Sequence, residues 1–473
     1  MAGMVLGLAA SLCPPHVVHA NDGAFTRDQA LLFGYVERVL EVSDEALALH
    51  EDLLLAQDRV ASEEEQFRTV IRPVANLAVD SSTRPRTGIE FSRQTRLGVD
   101  LSAGYATEGF GSGSSARSFA RLGIPLFQRF GRGVTELGLA HAELQLQRSR
   151  LDVDRRQQQL IALAISNHIT LVLAQSIRAQ SEMALSRAVR NVAAANARQR
   201  VGLVSRIDVH RAELSRLDHL NAFERADYAA ELKREEYAEL AQLALADVHV
   251  AETLPQIGLP AFPEFMPEQR PEWHMQHLEQ QAAKLELKSA ERRMMPDLRF
   301  EVAWLGNQYG GQFDDYVDDG SDTFFSVRMD SDLNFIAKRR AIRVQKIAYE
   351  RALRAGQLLE RRLQRDVRQA EATLGSESKN LNLAEQQHRE AQRARTVALA
   401  RFERGIASNV DVLDAEAALS DAELGELGAS AGHVSAIVQL ALARGVLSLA
   451  WLQQSLATSG SEPGPPTREQ NNE

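Results

Sequence analysis

Two segments of the chain repeat the same glycine, serine and aspartate residues at the same spacing. Residues 200–213 read RVGLVSRIDVHRAE, and residues 403–416 read ERGIASNVDVLDAE. Aligned on their glycines, they share Gly, Ser, Asp-Val and Ala-Glu. Aspartates in such a pattern can cap a helix, because their carboxylates accept hydrogen bonds from the free N–H groups of its first turn. Their negative charge also interacts favourably with the positive end of the helix.

Each segment is predicted to be a tight turn between two helices. Gly202 and Gly405 suit the left-handed position that ends an incoming helix. Ser205 and Ser408 are predicted to cap the outgoing helices, with the shared aspartates three residues later, near the free N–H groups of the first turn. Capping is therefore a sufficient explanation of those two aspartates, and whether it is the whole explanation is left open.

A further aspartate occurs in the second segment only. Asp414 lies one turn beyond Asp411 on the same helix face, where capping gives no reason for it. The equivalent position three residues beyond Asp208 is Arg211. The two tips are thus expected to differ in charge sign at this level.

The elements that position these tips are long helices preceded by strand pairs. Proline-free stretches of 68 residues, 133–200 and 337–404, are predicted to be helices, and alternating apolar residues predict two strands before each of them. The alternating runs are Leu97 to Tyr105, Ala120 to Leu126, Leu298 to Trp304 and Phe325 to Met329. A polar stretch, residues 80–96, is interpreted as an insertion in the first half.

The repeat defines the predicted domain organisation. Residues 1–20 are a predicted signal peptide, in which Cys13 is either removed with the signal, the favoured alternative because Leu12 is large, or lipidated. Residues 21–253 and 274–456 are the two predicted structural repeats, each consisting of a helix, a strand pair and a long helical hairpin. A proline-rich linker, 254–273, is predicted between them, and a disordered tail at 457–473.

Composition excludes several classes of function. The formal net charge of −10 argues against nucleic acid as a partner. Because no apolar run of eighteen or more residues occurs in the body of the chain, membrane crossing is expected to use strands. Four strands cannot close a sheet, and an open edge is not tolerated in lipid, so an oligomer is expected. Scattered histidines and the absence of a P-loop, GxSxG or CxxC motif predict no enzyme activity, no cofactor and no metal site.

The chain resembles the TolC-type outer-membrane efflux proteins over nearly its whole length. The resemblance is carried by the helices that run towards Pro73 and Pro296, by IPLF at 124–127 followed by GRG at 131–133, and by VDVLDA at 410–415. It implies a mainly α fold with β: long antiparallel helical hairpins form a periplasmic α-barrel, and a homotrimer shares one 12-stranded transmembrane β-barrel. It further implies a periplasmic adaptor, an inner-membrane transporter and outer-membrane lipid as partners, in a Gram-negative bacterium.

The same resemblance assigns roles to the tips. The tip turns become the periplasmic entrance and the adaptor contact, with Gly202, Leu203, Ser205, Gly405, Ile406 and Ser408. The gate residues become Asp411, Asp414, Asp208 and Arg211. Two departures concern the latch that ties this entrance shut: Phe402 replaces a tyrosine, and Ala407 replaces an arginine. The latch is therefore expected to be absent or rebuilt, with Arg206, Arg401 and Arg404 as nearby substitutes or as ordinary surface charges.

Two hypotheses of function remain. The first is a passive export conduit in the outer membrane. The second is a non-conducting periplasmic coiled-coil scaffold or adaptor with small β domains. The strands discriminate, because only a conduit needs one apolar face towards lipid and one polar face towards water. The alternation of residues 97–105 favours the conduit.

Overall fold

The structure is a computed structural model that describes residues 26–76, 86–108, 115–202, 204–258, 264–309, 317–330 and 334–459. The predicted signal peptide with Cys13, the tip residue Leu203 and most of the predicted tail lie outside the described residues. The architecture is mainly helical with one antiparallel sheet, as the sequence predicts.

Nine α-helices are found among the described residues. They are α1 (Arg27–Val42), α2 (Asp44–Glu65), α3 (Arg132–Thr135), α4 (Leu137–Arg200), α5 (Arg206–Leu240), α6 (Pro271–Arg292), α7 (Phe335–Glu403), α8 (Asn409–Arg444) and α9 (Leu449–Ser459). The two long predicted helices are thereby confirmed as α4 and α7. The turns after them lead into α5 and α8, which complete the two helical hairpins.

Two predicted boundaries need correction. Helix α6 begins at Pro271, inside the predicted linker 254–273, because proline fits the first helical position, where its missing N–H costs nothing. Helix α9 continues to Ser459, inside the predicted tail 457–473, where it is held by the fully buried side chain of Leu456. The remaining residues of that tail are outside the described range.

The sheet has six strands, and the expectation of four per chain was wrong. The strands are β1 (Val70–Asn76), β2 (Arg86–Gln94), β3 (Asp100–Glu108), β4 (Ser115–Pro125), β5 (Asp297–Tyr309) and β6 (Val317–Asp330), hydrogen-bonded in sequence order. The supposed insertion 80–96 contains β2, whose charged and polar residues obscured its alternation. Pro73 lies within β1 and does not end a helix, since α2 already ends at Glu65.

The first predicted strand also begins later than expected. Leu97 lies in the turn between β2 and β3, which Gly98 closes at φ +89° with its N–H donating to the Thr95 carbonyl at 2.9 Å. A left-handed residue at this position favours glycine. This turn makes β2 and β3 a hairpin, and it explains why an apparently continuous run from residue 97 is only partly strand.

Paired residues place most of the large apolar side chains on one face of this sheet. A single row crosses the six strands as Ile71, Phe91, Ala103, Ala120, Trp304 and Thr323. The neighbouring row on the opposite face reads Arg72, Glu90, Gly104, Phe119, Leu305 and Asp322. Because side chains alternate between the faces of a strand, the sheet has an apolar face and a largely polar one.

By its contacts the chain divides into two compact units, each built from both halves of the sequence. The first comprises Met1–Ala48, Arg156–Gln269 and Arg362–Glu473, and the second comprises Leu49–Arg155 and Arg270–Arg361. The sheet belongs to the second unit. The division into consecutive repeats at 21–253 and 274–456 stays a prediction about the sequence.

The first unit has an apolar core centred on α1 and α4. The Tyr35 and Tyr237 rings stack with centroids 3.7 Å apart, and the Nδ1 of His168 lies 3.4 Å from the Tyr237 hydroxyl. By length and composition alone, α4 could cross a membrane, yet 44% of its apolar window is buried inside the protein. The fully buried Ile165 and Ile169 show that this window contributes to the core.

Candidate functional site: the helical tips

The first tip is a tight turn closed by a reciprocal cap. Gly202 has φ +75°, the left-handed conformation expected at the end of α4. Ser205 is the N-cap of α5: its Oγ accepts from the Asp208 N–H at 3.3 Å, and Asp208 Oδ2 accepts from the Ser205 N–H at 3.0 Å. The hydrogen bond from the Ser205 side chain is the main cause of a lowered pKa of the Asp208 carboxyl. This aspartate is therefore held ionised by its cap.

The second tip repeats this geometry. Gly405 has φ +73°, and Ser408 caps α8 with the same φ of −80° and ψ of 163° as Ser205. Asp411 Oδ2 accepts from the Ser408 N–H at 2.7 Å, while the Asp411 N–H donates to Ser408 Oγ at 3.2 Å. Both caps predicted from the sequence are present, so capping occupies one carboxylate oxygen at each tip.

The remaining predicted gate residues have different surroundings. Arg211 Nη1 lies 4.0 Å from Asp208 Oδ1 within its own tip, and its side chain is about half exposed. Asp414 is exposed, and it forms no hydrogen bond or ion pair with another residue of the described ranges. The carboxylate of Asp414 is thus available to solvent ions. This agrees with the expectation that Asp414 does not cap a helix.

The two tips lie side by side and are joined by a residue that sequence reasoning missed. The guanidinium carbon of Arg198, at the end of α4, lies 3.8 Å from the centroid of the Phe402 ring, at the end of α7. Arg198 Nη1 also donates to the Phe402 carbonyl at 3.4 Å. The three arginines considered from the sequence as substitutes for the latch, Arg206, Arg401 and Arg404, are all exposed. The contact to Phe402 comes instead from the first hairpin.

A second link between the tips involves the backbone. Asn409, the first residue of α8, is buried, and its Nδ2 donates to the Asp208 carbonyl at 3.3 Å. The second tip is thereby tied to the first turn of α5. The sequence did not reveal this contact of Asn409, because an asparagine at the start of a helix is already explained by local capping.

Above the tips, a buried charge cluster connects three helices. Glu416 on α8 is 6% exposed. Its two carboxylate oxygens lie 3.2 Å from Arg187 Nε on α4 and 2.7 Å from Arg395 Nε on α7. Arg187 Nη2 also lies 2.8 Å from a carboxylate oxygen of Glu423. The paired charges compensate one another's loss of hydration.

The carboxylate at the equivalent position of the first tip has different partners. The counterpart of Glu416 in the first tip is Glu213, which pairs with Arg216 on its own helix at 2.7 Å and has a side chain that is 42% exposed. The signal that could have revealed the cluster is the position of Glu416 between Val412 and Leu419. Helical spacing puts all three on one buried face of α8, where an unpaired carboxylate would be costly.

The tips also expose apolar side chains. Val201, Ile207 and Ile406 are 69%, 63% and 65% exposed. Of these, only Ile406 was among the predicted contact residues. Within the described ranges, no group of three or more His, Cys, Asp or Glu residues is placed to hold a metal ion.

Part of the chain matches a known protein family. Residues 266–446 match the family described as "Outer membrane efflux protein". The matched segment includes β5, β6, α7, the second tip and α8. The resemblance to the TolC-type efflux proteins is confirmed. The outer-membrane location expected from that resemblance agrees with the description of the family.

Solved structures extend the likeness to the fold of most of the chain. The outer membrane protein VceC of Vibrio cholerae aligns over 89% of this chain and 98% of its own, with a TM-score of 0.70 and 16% identity. The open state of the Neisseria gonorrhoeae MtrE channel aligns over 88% of this chain and 89% of its own, with a TM-score of 0.65 and 16% identity. The Campylobacter jejuni CmeC channel aligns over 93% of each chain, with a TM-score of 0.69 and 13% identity. No curated protein sequence matches the chain.

Proposed function

We propose that the protein is the outer-membrane channel of a tripartite efflux or type I secretion system. It acts as a homotrimeric, passive exit duct from periplasm to exterior, without enzyme activity, and works with a periplasmic adaptor and an inner-membrane transporter. The observation that carries the proposal is the six-stranded sheet with an apolar row on one face and charged residues on the other. Lipid solvates the first face and water the second.

The exposure of the apolar face distinguishes a conduit from a periplasmic scaffold. Phe325, Val327 and Met329 on β6 are 63–70% exposed, and Ile71 on β1 is 61% exposed. A soluble β domain would cover such residues, since a large exposed apolar patch promotes aggregation in water. In a lipid bilayer these apolar side chains would not be exposed to water. Their exposure therefore favours the conduit over the scaffold.

The tips supply the proposed entrance. In a trimer, Asp411 and Asp414 contribute six carboxylates at the periplasmic end, with Asp208 and Arg211 on the neighbouring tip. The exposed Ile406, together with the turn residues Gly202, Leu203, Ser205, Gly405 and Ser408, forms the proposed adaptor contact. The equal geometry of the two caps supports a duplicated origin of the hairpins.

The test combines location, assembly and conduction. The protein should fractionate with the outer membrane, and the detergent-extracted species should have about three times the chain mass of 52.3 kDa. Inserted into planar bilayers, this species should give ion conductance. Recovery as a soluble periplasmic protein without conductance would establish the scaffold instead, and a membrane-embedded monomer would contradict the shared sheet.

A further inference from the structure

We infer that the extra hairpin β1–β2 is part of the membrane wall, and that β1 pairs with β6 of a second copy of this chain. The trimer then closes an 18-stranded sheet. This inference rests on the proposed function and specifies its assembly surface: the interface lies along the two outer strands of the sheet. The first step is to show that the hairpin belongs to the sheet at all.

The hairpin is continuous with the rest of the sheet. Strand β2 pairs with β3 in one register along its whole length, from Arg86 opposite Glu108 to Gln94 opposite Asp100. A side-chain bond reinforces this pairing, since the Thr87 and Thr107 hydroxyl oxygens lie 2.9 Å apart. A hairpin that only covered a loop would not need a full ladder with its neighbour.

The hairpin also has the facial chemistry that lipid requires. Ile71, Ile89 and Phe91 are paired into the apolar rows, and they are 61%, 50% and 44% exposed. Arg72 and Glu90 are paired on the opposite face. The row through Phe91 and Ile71 therefore continues the apolar surface to β1, the strand at which it ends, and Arg93 is the charged residue of β2 on this face. A hairpin lying in water would have no reason to continue this pattern.

The two outer strands suit each other as partners. Because consecutive strands are antiparallel and their number is even, β1 runs opposite to β6, so rotating the chain about a three-fold axis brings β1 beside a partner's β6 in antiparallel orientation. Unpaired backbone groups at either edge would cost several kcal/mol each in lipid. Pro73 has no N–H to donate, so the ladder along β1 has one hydrogen bond fewer than a strand without proline.

The consequence is a wider opening than four strands per chain would produce. Barrel diameter grows roughly linearly with strand number, so 18 strands give about 1.5 times the diameter of 12. Barrels of that size leave an aqueous channel. On the polar face, the side chains of Arg72, Arg117, Arg121 and Glu301 would line it.

Cysteine cross-linking of the intact protein tests the pairing. Cys13 is the only cysteine in the sequence and is replaced by serine. Arg72→Cys is combined, one at a time, with cysteines at 322, 324, 326 and 328, which lie on the same polar face of β6. Within one chain these positions are five strand spacings apart, about 24 Å, so a disulfide between them must join two copies. The matched control carries Ser102→Cys on β3 with the same four β6 positions.

We expect at least one Arg72→Cys pair to give covalent dimers and trimers under mild oxidation, and no Ser102→Cys pair to do so. Cross-linking through Ser102→Cys would place β3 at the subunit boundary with 12 strands in the wall, and would overturn the inference. A conducting trimer in which neither series cross-links would also overturn it while leaving the proposed function intact. A protein that is neither trimeric nor conducting fails the proposed function itself.

Discussion

Arg198 reaches from the first helical hairpin to the second and stacks on Phe402, with its guanidinium carbon 3.8 Å from the ring centroid. The same side chain donates to the Phe402 carbonyl at 3.4 Å. One residue therefore ties the end of α4 to the end of α7, immediately before both tip turns. If the tips form the entrance, this contact holds the two hairpins of one chain together in the closed arrangement.

Replacing this arginine should loosen the entrance. We expect Arg198→Gln to leave the trimer intact and to increase the open fraction about 2- to 5-fold, since a cation–π contact of this kind contributes about 0.5–1 kcal/mol. The measurement is the open probability of single channels in planar bilayers.

The control for this variant is Arg206→Gln, which removes an exposed arginine from the same tip. Because Arg206 does not contact Phe402, its replacement should leave the open probability unchanged. Equal effects of the two substitutions would mean that tip charge, and not the stack on Phe402, determines opening.

The buried carboxylate of Glu416 should matter for stability. Glu416→Ala leaves Arg395 on α7 without its carboxylate partner and leaves Arg187 on α4 with Glu423 alone. The free energy of unfolding should fall by about 3–5 kcal/mol, the range observed when one partner of a buried ion pair is removed. Urea unfolding followed by circular dichroism measures this.

The repeat offers a matched control for that substitution. Glu213→Ala removes the corresponding carboxylate of the first tip, which is exposed and pairs only along its own helix. We expect little change in the free energy of unfolding. If the two alanine variants are equally stable, the cluster around Glu416 does not hold the hairpins together.

The aspartate without a capping role gives the cleanest test of the gate. Asp414→Ala should fold normally, because its carboxylate contacts no other described residue. In a trimer it removes three of six carboxylates from the entrance, so cation preference and block by divalent or trivalent cations should both weaken. Reversal potentials and cation titrations in planar bilayers measure these effects.

Asp218→Ala serves as the control for loss of one exposed negative charge per chain, since Asp218 lies on α5 about 20 Å beyond the cap residue Ser205. It should leave block by cations unchanged. An intact Asp414→Ala trimer with normal selectivity and block would show that Asp414 is only helix surface.

The core histidine should make stability depend on pH. Burial lowers the pKa of His168 from 6.5 to about 4, opposed only weakly by the charge of Asp28. Because the folded pKa is below the unfolded one, the neutral imidazole stabilises the fold above pH 6.5, and this stability is lost as pH falls towards 4. Between pH 7 and pH 5 the loss is about 2 kcal/mol.

The comparison is between the protein and His168→Gln, each unfolded in urea at pH 7 and pH 5. The variant is less stable at pH 7, since it loses the contact to Tyr237, but its stability should fall less on acidification. A pH dependence that is unchanged by the substitution would mean that other groups account for the acid sensitivity.

The sequence by itself determined the features that depend on neighbours along the chain. Gly202 and Gly405 required left-handed turns, and Ser205 and Ser408 required caps, because each of these constraints acts within four residues. The long helices were predictable for the same reason, since propensity and periodicity are summed over many residues. The VDVLDA segment at 410–415 also carried the family, which the matched range 266–446 includes.

Tertiary structure decided what depends on distant partners. Strand β2 is mostly polar in sequence and becomes a strand only because β1 and β3 supply its hydrogen bonds on either side. The pairing of Glu416 with Arg187 joins positions 229 apart, and that of Arg198 with Phe402 joins positions 204 apart. No local periodicity encodes such contacts, because they arise only when helices from both halves of the chain pack together and bury the charges that they carry.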